Sequence, residues 1–313
     1  MTSPVLIPNG CYSHDLLLHG CDDELVAATR AFVERGLASG GQVLVHSSEE
    51  RVAMLRDAVG SHPRLDYGLD RELYLSPTNT LFAYERKLAA ESTEMWVTGT
   101  VPLGEDPAGH AAWTRYESLV NEVLGPYAFH ALCTYDTRTL PAETIAAARA
   151  SHPGLSTGGD RSCSSVEYLD PAAFLTAPVA GIPDPTHTQP AMVVTLDSLQ
   201  DLWLARHLMT RTAESAGAVA RDTIMGFIAA THEVLVNALN HGGAPVELTM
   251  WVDISKLACR VTDMGPGIPD TLSGYRRAQP TGPTGLWVAR QLCEEIIVSN
   301  PVGGGCSVLL ATS

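Results

Sequence analysis

Three short motifs lie within the 53 residues from Glu233 to Gly285, and they restrict the fold of the C-terminal part of the chain more than any bulk property does. They read Glu233-x-x-x-Asn237-Ala238-x-x-His241, then Asp263-Met264-Gly265-Pro266-Gly267, then Gly282-Pro283-Thr284-Gly285-Leu286. At about 100° per residue, Glu233, Asn237 and His241 fall within about 80° of one another on a helix. Ile224, Ile228, Leu235 and Leu239 form an apolar stripe about opposite them. The polar trio therefore faces away from the sheet side. Taken alone, such a trio is the ordinary solvated face of an amphipathic helix.

The second and third motifs change that reading. Leu257–Thr262 is strand-like and delivers Asp263 at its end. Gly265 and Gly267 permit positive φ and close approach of backbone to a ligand. A carboxylate fixed at a strand end accepts a hydrogen bond from an exocyclic amine such as that of adenine. Guanine presents a carbonyl oxygen there and is rejected. Gly282 to Leu286 opens a helix, where unpaired N–H groups and small side chains suit a phosphate. The intervening loop, with Arg276, Arg277 and Thr281, has the make-up of a lid. In this order and spacing the three motifs are compatible with an ATP·Mg²⁺ site.

At 313 residues the chain has room for two domains. Hydrophobic residues make up 45% and charged residues 18%, too apolar for disorder. The net charge of −15 argues against nonspecific nucleic-acid binding, which needs basic side chains to neutralise phosphates. Seven cysteines, an odd number without a Cys-x-x-Cys pair, argue against a disulfide framework. The expected location is the reducing cytoplasm. The N-terminus lacks the basic start and apolar run of a signal peptide, and no run of about 18 apolar residues is present to span a membrane.

Residues 14–150 alternate short apolar strands with amphipathic helices: strands at 16–19, 42–46, 72–75, 94–98 and 130–135, helices at about 22–38, 47–59, 78–91, 111–124 and 141–150. That alternation predicts an α/β domain with a parallel sheet flanked by helices. A linker is expected at 176–189, where Pro178, Gly181, Pro183 and Pro185 disfavour helix and central strand. Domain bounds of 1–175 and 190–313 follow. The second domain reads as a strand at 192–196, helices at about 198–216 and 218–240, strands at 246–252 and 257–263, a helix at about 285–294 and strands at 295–299 and 307–312. This is an α+β sandwich with its helices on one face of a mixed sheet.

With all three motifs in this order, residues 191–313 resemble the Bergerat-fold ATPase domain of the GHKL superfamily, which includes gyrases and histidine kinases. Within it they are most similar to bacterial anti-sigma-factor serine kinases, which also begin with a strand and two helices. The resemblance implies that Glu233 is a general base that orients and deprotonates a partner serine. It implies that Asn237 ligates Mg²⁺ and that Asp263 binds the adenine amine. Gly265, Gly267 and Ile268 would shape the base pocket, and Thr281, Gly282, Thr284, Gly285 and Leu286 would line the phosphates. His241 stands where many relatives also carry histidine. The implied cofactors are ATP and Mg²⁺. The implied partners are a sigma factor and a STAS-type anti-sigma-factor antagonist, with homodimerisation and without direct contact to nucleic acid or membrane. Two alternatives stay open: an ATP-binding partner switch without transfer, and a sensor histidine kinase. The latter is disfavoured because Arg206-His207-Leu208 lacks the acidic neighbour and coiled-coil context of a phosphoacceptor helix.

Residues 11–175 resemble the MEDS sensory domain of methanogen and methylotroph regulators. The matching stretches are His14-Asp15-Leu16-Leu17-Leu18, Asp23-Glu24-Leu25, Phe32-x-x-x-Gly36-Leu37-x-x-Gly40, Val43-Leu44-Val45 and His152-Pro153. The resemblance implies a RecA-like fold without a phosphate-binding loop, and the sensing of a small-molecule ligand. Cys11, His14, His19 and Cys21 gather around the first strand, with His46 and His130-x-x-Cys133 on later strands. Such a set suits a sensor that binds metal or haem or responds to oxidation. Its spacings match no standard zinc pattern. The simpler expectation is that these are core residues and that the first domain holds no metal.

Overall fold

A computed structural model of the chain describes residues 12–74, 76–90, 93–104, 107–158, 162–176, 189–217, 219–253, 255–275, 285–301 and 303–312. The chain divides into two units, Met1–Ile182 and Pro183–Ser313.

The first unit follows the predicted alternation. Its elements in order are β1 (Tyr12–His19), α1 (Asp22–Ala38), β2 (Gln42–Ser47), α2 (Glu49–Val59), β3 (Leu65–Leu69), α3 (Asp70–Leu73), α4 (Pro77–Ala90), β4 (Met95–Gly99), α5 (Pro107–Val123), β5 (Phe129–Asp136), α6 (Ala142–Ser151), β6 (Gly154–Ser156), β7 (Ser162–Ser164) and α7 (Pro171–Thr176). The sheet order is β3-β2-β4-β5-β1-β6-β7. All neighbours are parallel except the terminal β6–β7 pair. The central strands are apolar on both faces, as a sheet covered by helices on both sides requires: every residue of β4 is buried. Phe32, Val33, Val43, Val45, Leu55 and Trp96 pack as one core cluster.

Two local expectations fail here. The predicted strand at 72–75 gives way to β3 at Leu65–Leu69, with Asp70–Leu73 forming a helical turn. Leu65, Tyr67 and Leu69 alternate with Asp66 and Gly68, so β3 lacks the continuous apolar run of a covered strand. A Cβ at Gly68 would lie 2.6 Å from Leu73, so its absence is what lets the turn fold back on the strand. The β6–β7 hairpin lies in a segment rich in Gly and Ser, with no periodic apolar residues to reveal it.

The second unit contains β8 (Met192–Leu196), α8 (Leu202–Ala216), α9 (Arg221–Asn237), β9 (Val246–Val252), β10 (Leu257–Asp263), α10 (Gly285–Leu292), β11 (Glu295–Ser299) and β12 (Cys306–Thr312). Ser198 and Asp201 form a capping box on the 3₁₀ turn before α8, and Gly217 ends α8 in the left-handed region at φ 65°. The sheet order is β11-β12-β10-β9-β8. Every neighbouring pair is antiparallel, so the expected mixed sheet is corrected to an antiparallel one. The reason is topological. The chain passes through two helices between β8 and β9 and returns to pair antiparallel with β8. The single helix between β10 and β11 would make those strands parallel neighbours, but β12 inserts between them. The helices pack on one face of this sheet through Met209, Ile224, Phe227, Ile228, Leu235 and Leu286. Burying each such side chain contributes about 1.5–3 kcal/mol.

Candidate nucleotide site

Three chain ends converge on one cavity: the C-terminus of α9, the end of β10 and the start of α10. The cavity measures about 280 Å³ and is walled by Val234, Ala238, Val261, Ile268, Leu286 and Val308, with Asn237, His241, Asp263 and Cys306 as its ionisable or amide groups. A flat heteroaromatic ring suits such apolar walls with few polar groups.

Asp263 ends β10 opposite Cys306 in the β10–β12 register and is only 6% exposed. The Gly265 N–H donates to its Oδ1 at 2.8 Å, which fixes the carboxylate beside the turn. A Cβ on Gly242 would overlap the Asp263 carboxyl carbon and lie 2.5 Å from both carboxylate oxygens. Gly242 thus leaves the space that the carboxylate occupies. Burial, with Asp263 as a lesser cause, raises the Cys306 thiol to about 11, so it stays neutral in the cavity wall.

The two glycines of the second motif serve different ends. Gly267 has φ 81°, and a Cβ there would lie 2.6 Å from Asn300 Oδ1. Gly265 has no positive φ. Its role is close approach, since a Cβ there would overlap the Gly242 backbone. The Gly305 N–H donates to the Gly265 carbonyl at 2.9 Å, tying the turn to the start of β12. Asn300 holds Ile268 from both sides: its Oδ1 accepts from the Ile268 N–H at 3.0 Å and its Nδ2 donates to the Ile268 carbonyl at 2.8 Å.

The first and third motifs meet at Gly285. A Cβ there would lie 2.9 Å from Glu233 Oε2 and 3.0 Å from Asn237 Nδ2. Glu233 and Asn237 are half-buried, whereas His241 is exposed, in a π-helical turn at Ala238–Gly242 that follows α9. The start of α10 therefore faces the carboxylate and the amide directly. Arg290, buried on α10, donates from Nε to the Ser273 carbonyl at 3.2 Å and from Nη1 to the Ile296 carbonyl at 2.8 Å, and its guanidinium stacks 3.7 Å from the Tyr275 ring centroid. It anchors the segment that leads toward the expected lid. Thr281, Gly282, Thr284, Arg276 and Arg277 lie outside the described residues.

Sequence reasoning missed Gly242, Asn300, Arg290 and Cys306. Gly242 was visible only as a helix stop. Arg290 had a weak signal, as a charged residue beside the apolar positions Leu286 and Ala289 of its helix. Asn300 and Cys306 gave none, because their roles come from β11 and β12 folding back beside β10.

In the first unit, strand alternation sends His14 and His19, five residues apart on β1, to opposite faces. They share no site. His19 is fully buried, with burial foremost in lowering its pKa. Cys21 is exposed, and Cys11 lies outside the described residues. The described cysteines, Cys21, Cys133, Cys163, Cys259, Cys293 and Cys306, are all free thiols. No helix among the described residues is long and apolar enough to cross a membrane.

Comparison with known proteins agrees with both halves of this description. Residues 13–153 match the MEDS family, described as the methanogen/methylotroph, DcmR sensory domain. Residues 197–312 match the histidine kinase-like ATPase domain family. A MEDS-like sensory domain thus precedes a histidine kinase-like ATPase domain. Among solved structures, a histidine kinase domain from the Erythrobacter litoralis EL346 blue-light activated histidine kinase is 25% identical, over 34% of this chain and 63% of that chain, with a TM-score of 0.26. The chain therefore spans less than two thirds of that structure. No curated protein shows significant similarity.

Proposed function

We propose that the protein is an anti-sigma factor with ATP-dependent serine kinase activity, tuned by its N-terminal sensory domain. The observation that carries this reading is the meeting of Gly285 with Glu233 and Asn237, because it sets a carboxylate and an amide against a helix start that suits a phosphate. The residues fit the nucleotide: the cavity has apolar walls and a buried carboxylate, and glycines let the segments around it approach one another closely. Bound ATP·Mg²⁺ would supply the phosphoryl group and the charge neutralisation that such transfer requires.

In this reading the chain's own residues have distinct tasks. Asp263 selects adenine over guanine by accepting from an amine. Ile268 and Leu286 pack on the base. Asn237 offers its amide oxygen to Mg²⁺, which accepts a single protein ligand because it retains waters. Glu233 accepts the proton of the attacking hydroxyl and holds that oxygen in place. Phosphorylation of a STAS-type antagonist would keep the protein free of that antagonist and able to bind its sigma factor.

A serine acceptor on a partner is favoured over a histidine on this chain by the packing of α8. Its Leu202, Ala205, Met209 and Ala213 are committed to the core of the ATPase unit, so it is not a separate dimerising phosphoacceptor helix. Incubation with labelled ATP, Mg²⁺ and a STAS-type antagonist tests the proposal. Acid-stable label on the antagonist is expected, abolished by Glu233→Ala with ATP binding largely retained. Acid-labile label on the protein itself would mean a histidine kinase. ATP binding without any transfer would mean a nucleotide-gated binding module.

A further inference from the structure

Four side chains of the first unit converge: His14 on β1, Glu117 on α5, Cys133 on β5, and His152 just after α6. One donor atom from each lies within 4.8 Å of all the others. The individual separations are 3.1 Å for His14 Nε2 to Glu117 Oε2, 3.4 Å for Cys133 Sγ to His14 Nε2, 3.5 Å for Cys133 Sγ to Glu117 Oε2, and 3.7 Å for His152 Nε2 to Glu117 Oε2. A tetrahedral zinc site has metal–ligand bonds of about 2.0–2.3 Å and hence edges of roughly 3.3–3.6 Å. Four of the six edges, at 3.1–3.7 Å, lie close to that range, and the other two are within 4.8 Å.

The hydrogen bonds around the cluster aim lone pairs into it. Asn121 donates its amide N–H groups to main-chain carbonyls, including that of Ser151 at 2.7 Å, so its Oδ1 is the acceptor facing His14 Nδ1 at 3.0 Å. That arrangement puts the proton of a neutral His14 on Nδ1 and leaves the Nε2 lone pair against the Glu117 carboxylate. The carbonyl of Ala148 lies 2.7 Å from His152 Nδ1 and fixes the same tautomer there. His152 Nε2 has no hydrogen-bond partner, although the residue is 0% exposed. A proton between His14 and Glu117 satisfies one pair and leaves His152 unsatisfied. A metal ion satisfies all of them. Carbonyl and amide partners on the far side of metal-bound imidazoles are the usual means of orienting such ligands. A void of about 20 Å³ adjoins the cluster on the side of His14, Glu117 and Cys133, towards His46 and Tyr74.

We propose that His14, Glu117, Cys133 and His152 bind one divalent transition-metal ion of the zinc type. Two imidazoles, one carboxylate and one thiolate form a donor set of intermediate softness, which suits Zn²⁺ and its tetrahedral analogue Co²⁺ over Mg²⁺ or Ca²⁺. Binding releases the Cys133 thiol proton. The two anionic ligands and the dication then form a neutral buried unit. This assignment replaces the expectation of a metal-free first domain, and it stands independently of the kinase reading.

The test is metal analysis of the full chain expressed in medium supplemented with Zn²⁺ and, separately, with Co²⁺. About one metal per chain and a tetrahedral Co²⁺ visible spectrum with a thiolate-to-metal charge-transfer band are expected. Cys133→Ser should remove that band, and His152→Ala should abolish stoichiometric metal. Asn121→Ala should weaken affinity by about 10–100-fold. Cys21→Ser, at an exposed thiol, should change nothing. The proposal is overturned if the wild-type chain carries no stoichiometric metal. It is equally overturned if the Co²⁺ spectrum lacks the charge-transfer band or if Cys133→Ser leaves the spectrum unaltered.

Discussion

Gly242→Ala isolates the link between backbone close approach and adenine recognition. The added methyl would overlap the Asp263 carboxyl carbon and stand 2.5 Å from both carboxylate oxygens, where ordinary contact begins at 3.4 Å. The carboxylate must therefore move by about 1 Å. It has little freedom to do so, being 6% exposed and bonded to the Gly265 N–H at 2.8 Å. Movement breaks that charged hydrogen bond and misaligns the one expected to adenine, each worth about 1.5–3 kcal/mol. Loss of the adenine contact alone weakens ATP binding by about 10–150-fold. Crowding adds about 1–3 kcal/mol of destabilisation. Calorimetric titration with ATP and Mg²⁺ measures the first effect, and thermal unfolding measures the second. A variant that binds ATP like the wild type would refute the argument that Gly242 makes room for a base-binding carboxylate.

Other consequences can be measured on the same protein. Gly285→Ala introduces a methyl 2.9 Å from Glu233 Oε2 and 3.0 Å from Asn237 Nδ2, both ends of side chains that can shift. Phosphoryl transfer should fall about 10-fold while the melting temperature changes little, because a displacement of about 0.5 Å is costly to chemistry and cheap to packing. Arg290→Met removes two hydrogen bonds to carbonyls and the stack on Tyr275. It should destabilise the ATPase unit by about 2–4 kcal/mol in denaturant unfolding. In the first unit, burial lowers His46 to about 4, so the folded state keeps it neutral where the unfolded state, near 6.5, is protonated. Its contribution to stability is fully present above about pH 6.5 and is lost as pH falls toward 4, amounting to about 2 kcal/mol at pH 5. His46→Gln should flatten that part of the stability–pH curve.

Much of the architecture was legible because periodicity reports local structure. The continuous apolar runs at Val43–Val45 and Met95–Val97 are short and flanked by helices, which reads as covered parallel strands, and β2 and β4 lie there. Ser198 and Gly217 marked the limits of the α8 segment by capping chemistry that acts over a few residues. Strand β3 escaped because Asp66 and Gly68 interrupt the continuous apolar run that marks the other covered strands. The antiparallel order of the second sheet escaped because it depends on where β12 inserts, which no local window contains.

What the sequence by itself determined is the set of chemical groups and their local carriers: Asn237 and Glu233 one helical turn apart, Asp263 at a strand end and Gly285 at a helix start. Their assembly into one cavity was decided by tertiary structure, since Gly242, Asn300 and Gly305 reach Asp263 and its turn only when the helix and the outer strands return beside β10. The same holds for the cluster of His14, Glu117, Cys133 and His152, whose members lie up to 138 positions apart in the chain. Side-chain identity is encoded residue by residue, but hydrogen-bond partners and burial arise from non-local packing. Packing aims the His152 lone pair at Glu117 and separates His14 from its sequence neighbour His19.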